Sequence, residues 1–570
     1  MNIVQRAIDA EAVDVLVAHG LPPVMARILA ARGINHPAQL EPSLAGLLPP
    51  QRLTNSETMA ALLANAIAHR KRLLVIGDYD ADGATASAVA VRGLRMMGAE
   101  VGYLVPNRFE YGYGLTPEIV ALAAQRNPDI LLTVDNGIAS VAGVEAANAL
   151  GLAVLVTDHH LPGDTTPPAA CIVNPNQHGC DFPSKHLAGV GVMFYVLLAL
   201  RAELRRRGVF ASGGEPNLTQ LLDLVALGTV ADLVRLDDNN RILVEQGLRR
   251  IRSGHCCPAI HALLRLAGCD PARGGARDLG FSVGPRLNAA GRLDDMSLGI
   301  ACLLADDEAE ALRLAQQLHE LNLARRSIEA DMQEVAEIAL DAIDCGERYS
   351  LSLYHAEWHQ GVIGILASRI KERHHRPVIA FAHAGADADG RAQLKGSGRS
   401  INGLHLRDAL DLLSKRHPDL ILKFGGHAMA AGLSIYEADF ARFDAEFEAV
   451  VASLLTPTDL EAVIETDGDL DNGDISWDTA VALERQVWGQ GFPQPAFCGD
   501  FAVADQRIVG ERHLKLLLSA HGRRLDAIHF GGAAEPAQGR VRLAFRLEPD
   551  RYRGGDAVQL VVIHREAMPA

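Results

Sequence analysis

The chain has 570 residues, 48% of them hydrophobic and 22% charged, which excludes a disordered or fibrous protein and predicts several folded domains. Its formal net charge of -16 argues at first against a polyanionic partner. Eight cysteines without a CxxC pair, no leader-like N-terminus and no apolar run near the ~20 residues of a membrane span predict a cytoplasmic protein with no membrane partner.

Residues 1–45 predict a helical segment with helices over 13–19 and 22–31, and carry no chemical motif. From 46 to 305 the pattern changes to alternation. Strands are expected at 72–77, 100–105, 130–134 and 153–157, and helices at 85–97, 116–125 and 140–150, which is the signature of right-handed βαβ units and a parallel sheet covered on both faces. Residues 306–345 contain a long charge-laced helix, read as a connector. A second α/β domain follows over 346–455, closed by the Thr456-Pro457-Thr458 punctuation. The last segment, 456–570, begins with nine acids and no Lys or Arg between Asp459 and Glu484, expected on a solvated linker or helix. Five short β patterns then predict a small barrel, on which Arg540, Arg542 and Arg546 share a face. From Cys498 onward eleven Lys plus Arg stand against nine Asp plus Glu, so the part expected to touch nucleic acid is locally basic.

Placed on the parallel sheet, the acids converge. Asp78, Asp80 and Asp82 (GDYDADG) follow the first strand, Asp135 (VDNG) ends the third, and Asp158, His159 and His160 (TDHH) end the fourth. Ligands of open α/β sheets collect at this carboxyl edge. Asp232 (TVAD) is a plausible fourth contributor. Carboxylates and imidazoles without thiolates suit Mn²⁺ or Mg²⁺, and the cluster is large enough for two divalent ions and phosphoester hydrolysis. Each motif alone reads more often as a cap, a turn or a surface pair; their joint placement at successive strand ends carries the functional reading.

In this order and spacing, DYDADG, VDNG, TDHH and TVAD resemble the motifs of the DHH phosphoesterase superfamily. VGPRLNAAGRL (283–293), HQGVIGILASRI (359–370), SGRS (397–400) and the DHHA1-like FGGHAMAAG (424–432) extend the resemblance to its bacterial single-stranded-DNA-specific 5′ to 3′ exonucleases. The resemblance implies a DHH catalytic domain, a DHHA1 domain and a C-terminal OB-fold. It implies metal ligation by Asp80, Asp82, Asp135, His159 and Asp232, with Asp80 and Asp135 serving mainly one ion and the rest, with Asp135 bridging, the other. Catalytic roles fall to Asp135, to His160 as proton donor or phosphate contact, and to Asp78. Small phosphatases carry a His four residues before the DxD; here that position is Ile76. Substrate contacts are expected from Arg108, Tyr113, Arg286, Arg292, Ser397, Arg399, Gly425, Gly426 and His427.

The resemblance further implies release of 5′ mononucleotides in DNA recombination, repair and mismatch repair, with single-strand-binding protein and a DNA helicase as partners. Two other readings stay open at this point. A DHH hydrolase of small nucleotides needs no β-rich C-terminus, and a non-catalytic DHH-derived protein typically loses the metal ligands that are present here.

Overall fold

Five short, almost wholly apolar strands form a parallel sheet in the computed structural model, which describes residues 2–107, 114–341, 348–520 and 522–568. The strands are β1 (Arg72–Ile76), β2 (Glu100–Leu104), β3 (Ile130–Val134), β4 (Ala153–Thr157) and β5 (Cys171–Val173), in the order β2-β1-β3-β4-β5. Leu74, Ile76, Leu131, Val154 and Val156 bury against Ile119, Val120 and Val144 of the crossover helices, which is why the strands read as apolar runs. Strand β5 went unpredicted, since three residues carry no readable period.

Helix α1 (Ala81–Met96) follows β1 and starts four residues earlier than its apolar pattern, because Asp80 caps it by accepting the Gly83 N–H at 3.0 Å. The DADG motif therefore lies in the first helical turn rather than in a loop. Helices α2 (Gly189–Arg206), α3 (Leu222–Ala231) and α4 (Gly284–Leu293) complete the elements that matter for the site. Among the described residues no helix is long and apolar enough to cross a membrane.

The chain divides into two compact units, one of Gln5–Glu320 with Glu465–Ala570, the other with Leu321–Ile464 as its body. Helix α5 (Glu308–Asp341) contributes to both. The second unit holds β6 (Leu351–Tyr354), helix α6 (Ile363–His374), β7 (Val378–Ala386), β8 (Ala392–Arg399), β9 (Lys423–Gly426) and β10 (Ala430–Tyr436). Its sheet order is β9-β10-β8-β7-β6, parallel only between β6 and β7, with a core around Phe381, Phe443 and Phe447.

All five C-terminal β patterns become strands: β11 (Phe497–Val509), β12 (His513–Ala520), β13 (Arg523–His529), β14 (Arg540–Pro549) and β15 (Val558–Ala567), closed as β11-β12-β13-β15-β14. That is the strand order of an OB-type barrel. The expected basic stripe on β14 is interrupted, because Arg542 pairs across the register with Asp500 at 2.8 Å.

The acidic run is not simply a solvated linker. Asp467 is 1% exposed and takes both nitrogens of the equally buried Arg32 at 2.6 and 3.0 Å, plus the Ala496 N–H. Arg32 also donates to the Pro493 carbonyl and lies over the Trp488 ring. The helix Pro23–Ala30 and the residues just after it thus meet the segment that leads into the barrel.

Candidate metal centre

The carboxyl edge of the sheet gathers the predicted acids into three overlapping groups whose potential ligand atoms lie within 4.8 Å of one another: Asp78, Asp80 and Asp135; Asp82, His159 and Asp232; Asp135, His159 and His160. His159 Nε2 stands 3.1 Å from Asp135 Oδ1, 3.5 Å from Asp232 Oδ2 and 3.9 Å from Asp82 Oδ2. Asp135 belongs to two of the groups and occupies their junction. Ile76, where small phosphatases carry a His, is buried at the end of β1, so the first group is carboxylate only.

Each ligand is aimed by its element. Asp135 has a left-handed backbone, φ +62°, while its N–H still bonds to the Thr157 carbonyl of β4 at 3.0 Å. Asn136 ties the turn back to the Ile76 and Val134 carbonyls. Asp82 accepts the Gly189 and Val190 N–H groups at 2.6 and 2.9 Å, where the start of α2 favours negative charge. The backbones of His159 and His160 are clamped by Asn176 and Asn174, which follow β5.

Burial, then the charge of Asp80, pushes the Asp82 carboxyl up to about 7. Burial and the surrounding carboxylates hold Asp135 and Asp232 well above the usual carboxylate range. Such a cluster is costly without cations and favourable with them. Its oxygen and imidazole donors fit a pair of hard or borderline divalent ions, and no cysteine joins it among the described residues.

His160 is held differently. Burial works against its imidazolium, yet the hydrogen bond and charge of Asp158 raise its pKa to about 9. Asp158 Oδ1 takes the His160 Nδ1 at 2.7 Å and the N–H groups of His159 and His160, while Oδ2 takes the Ile138 N–H. The acid that opens the TDHH motif is thus a positioning residue and stands outside the three groups.

Of the other predicted residues, two lie on α4 and the rest in the second unit or outside the described residues. Arg286 is buried on α4, donating to His319 and to the Ser282 carbonyl, and Arg292 lies half-buried at the end of the same helix. Residues missed in the sequence give α4 its role: Asn288 accepts the Ala81 N–H at 2.8 Å, and a Cβ on Gly291 would meet the Tyr79 carbonyl oxygen at 1.8 Å. Gly189 is equally constrained, since its Cβ would fall 2.6 Å from Asp135. Polar and glycine positions inside an apolar helix were the available signal.

In the second unit, Arg399 donates to Ser397 and to the Gly398 carbonyl, and Gly364 in the first turn of α6 closes on both side chains. Gly426 needs its φ of +144° to turn the β9-β10 hairpin, whereas Gly425 is exposed with open space above it; His427 is exposed and its N–H bonds to the Ala430 carbonyl. Arg108 and Tyr113 lie outside the described residues.

A parallel sheet carrying this carboxylate and imidazole edge, joined to a second α/β unit, defines a DHH phosphoesterase. Family models agree: the DHH family N-terminal domain matches residues 72–229, the DHHA1 domain 347–453 and the RecJ OB domain 466–564. The chain is 51% identical to the single-stranded-DNA-specific exonuclease RecJ of Dickeya dadantii over 99% of both chains, and 51% identical to that of Escherichia coli K12 over 95% of both. The crystal structure of Thermus thermophilus RecJ with Mn²⁺ matches at TM-score 0.83 and 31% identity, over 100% of this chain and 80% of that one; the Mg²⁺ complex matches at 0.78 and 29%, over 100% and 78%. The chain belongs to the RecJ family.

Proposed function

We propose that the chain is a Mn²⁺- or Mg²⁺-dependent exonuclease that degrades single-stranded DNA from the 5′ end and releases 5′ mononucleotides. The observation that carries the reading is the pair of ligand groups, Asp78-Asp80-Asp135 and Asp82-His159-Asp232, completed at one sheet edge. Two bound divalent ions would supply nucleophile activation and charge stabilisation at the scissile phosphate. Asp80, Asp82, Asp135, His159 and Asp232 hold them, and Asp78 steadies the first. His160, kept protonated by Asp158, delivers a proton to the departing 3′ oxygen.

Strand binding is assigned to a cleft of about 720 Å³ between the catalytic sheet domain and the barrel, where Arg277, Arg546, Phe281 and Trp488 meet. Burial, then the like charge of Arg277, lowers the Arg546 pKa, and its buried Nε has no acceptor among the described residues. A phosphodiester backbone answers both, and Phe281, 75% exposed, offers a face for a base. Small-substrate hydrolysis leaves this cleft without purpose. Ser397, Arg399 and the start of α6 form a corner suited to a terminal phosphate, and Gly425, Gly426 and His427 remain assigned to the substrate on the family resemblance. Arg108, Tyr113, Arg286 and Arg292 remain assigned to the substrate on the family resemblance. By the same resemblance the enzyme works in the cytoplasm in recombination, repair and mismatch repair, on ends opened by a helicase and held by single-strand-binding protein.

The test is digestion of 5′- and 3′-labelled single-stranded and duplex DNA with Mn²⁺ or Mg²⁺. Early release of the 5′ label as mononucleotide from single strands is expected. Equal attack on both ends, or on duplex, would contradict it, as would full activity of Asp135→Asn.

A further inference from the structure

A second basic cavity lies away from the metal edge. Of about 580 Å³, it is lined by Arg92, Arg95 and Arg250 and by the apolar side chains of Met96, Leu221 and Leu304. That size falls within the ~300–1,000 Å³ of small-ligand sites. Arg92 is committed: it pairs with Asp306 at 2.6 Å and donates to the Leu303 and Ala305 carbonyls. Among the described residues Arg95 makes one long bond, 3.4 Å, to the Val101 carbonyl. Arg250 gives one nitrogen to the His255 carbonyl at 2.6 Å, while its buried Nε finds no acceptor among the described residues. A buried guanidinium donor without an acceptor calls for a group that supplies one.

The charge balance points the same way. Asp223, whose charge interacts with Arg250, is buried and already takes the N–H groups of the lining residues Leu224 and Cys257 at 2.9 and 2.6 Å, and Asp306 is spent on Arg92. Arg95 and Arg250 are left with more positive charge than the lining acids balance, in a chain whose net charge is -16. Guanidinium forks match phosphate oxygens, and the apolar part of the lining suits a flat base or a sugar.

Arg95 is thirteen residues along α1 from Asp82. At 1.5 Å per residue the cavity mouth is roughly 20 Å from the metal cluster, at the opposite end of the helix that carries Asp80 and Asp82.

We propose that this cavity is a binding site for a small organic phosphate of nucleoside-monophosphate size, separate from the catalytic centre. Phosphate oxygens bond to Arg95 and Arg250, and the base lies along Met96, Leu221 and Leu304. The site does not depend on the exonuclease reading, because it uses no metal ligand.

The experiment is calorimetric titration of the full chain in chelator with 2′-deoxyadenosine 5′-monophosphate, inorganic phosphate and 2′-deoxyadenosine. Chelation removes metal-dependent binding at the catalytic edge. One site per chain is expected for the monophosphate, weaker binding for phosphate, and none for the nucleoside. Asp135→Asn should bind unchanged, while Arg95→Gln and Arg250→Gln each weaken binding about tenfold, the loss of one charge-assisted bond. Arg250→Lys, which keeps the charge and disturbs packing less, should bind weakly but measurably, with nuclease activity and melting temperature unchanged. No binding of the monophosphate, equal binding of the nucleoside, undiminished binding in the folded arginine variants, or loss of binding in Asp135→Asn would each overturn the proposal.

Discussion

Asp158 stands beside the metal cluster without belonging to it. One of its oxygens receives three donors from the two histidines, and the other receives Ile138, so its work is to fix the ring of His160 with Nδ1 facing inward. Asp158→Asn removes the carboxylate that orients the ring and keeps it protonated. Turnover of 5′-labelled single-stranded DNA should fall about 10- to 100-fold, the usual cost of losing such a partner, while Mn²⁺ affinity stays within about twofold. Steady-state kinetics beside Mn²⁺ titration separates the roles. If His160 were chiefly a metal ligand, affinity would fall with turnover.

At the scale of elements, α4 is the buttress of the DYDADG turn. A Cβ on Gly291 would fall 1.8 Å from the Tyr79 carbonyl oxygen, and Asn288 holds the Ala81 amide from the same helical face. Gly291→Ala improves helix propensity yet drives a methyl into that carbonyl. Helix content should be retained while Mn²⁺ affinity and activity fall together by about tenfold or more, read by circular dichroism and metal titration; retained affinity would remove the buttress role. A second element-level contact is the Arg32–Asp467 pair. Leaving Asp467 buried alone in Arg32→Ala costs about 3–5 kcal/mol, so the melting temperature should drop by several degrees with the metal cluster untouched. An unchanged melting curve would show that the pair stabilises nothing. These contacts mark what could be read in advance. Strand ends, the four acidic motifs and five barrel strands were legible because period and composition are local properties of the chain. Asn288, Gly291, Gly189 and Asp467 were not, because each acts on a partner far away in sequence. In the PRLNAAGRL run the arginines carry the sequence signal, while the glycine and asparagine between them do the holding.

At the scale of the molecule, the net charge of -16 is a poor guide to the partner because the acids are spent locally. Five aspartates line the metal edge, Asp467 neutralises Arg32, and Asp500 neutralises Arg542. The cleft lining carries four arginines against three acids, with Arg277 and Arg546 close enough for one to lower the pKa of the other. Single-strand binding through such a cleft releases counterions, about 0.7 per phosphate neutralised. Arg277→Ala combined with Arg546→Ala should therefore weaken binding at low salt and shrink the slope of log K against log salt by about 1.4, with little change near saturating salt. Fluorescence anisotropy of a labelled oligonucleotide over a salt series measures that slope. A parallel shift at unchanged slope would assign the two arginines to the fold, through Arg277–Glu548 and the barrel wall, and would move the strand out of this cleft.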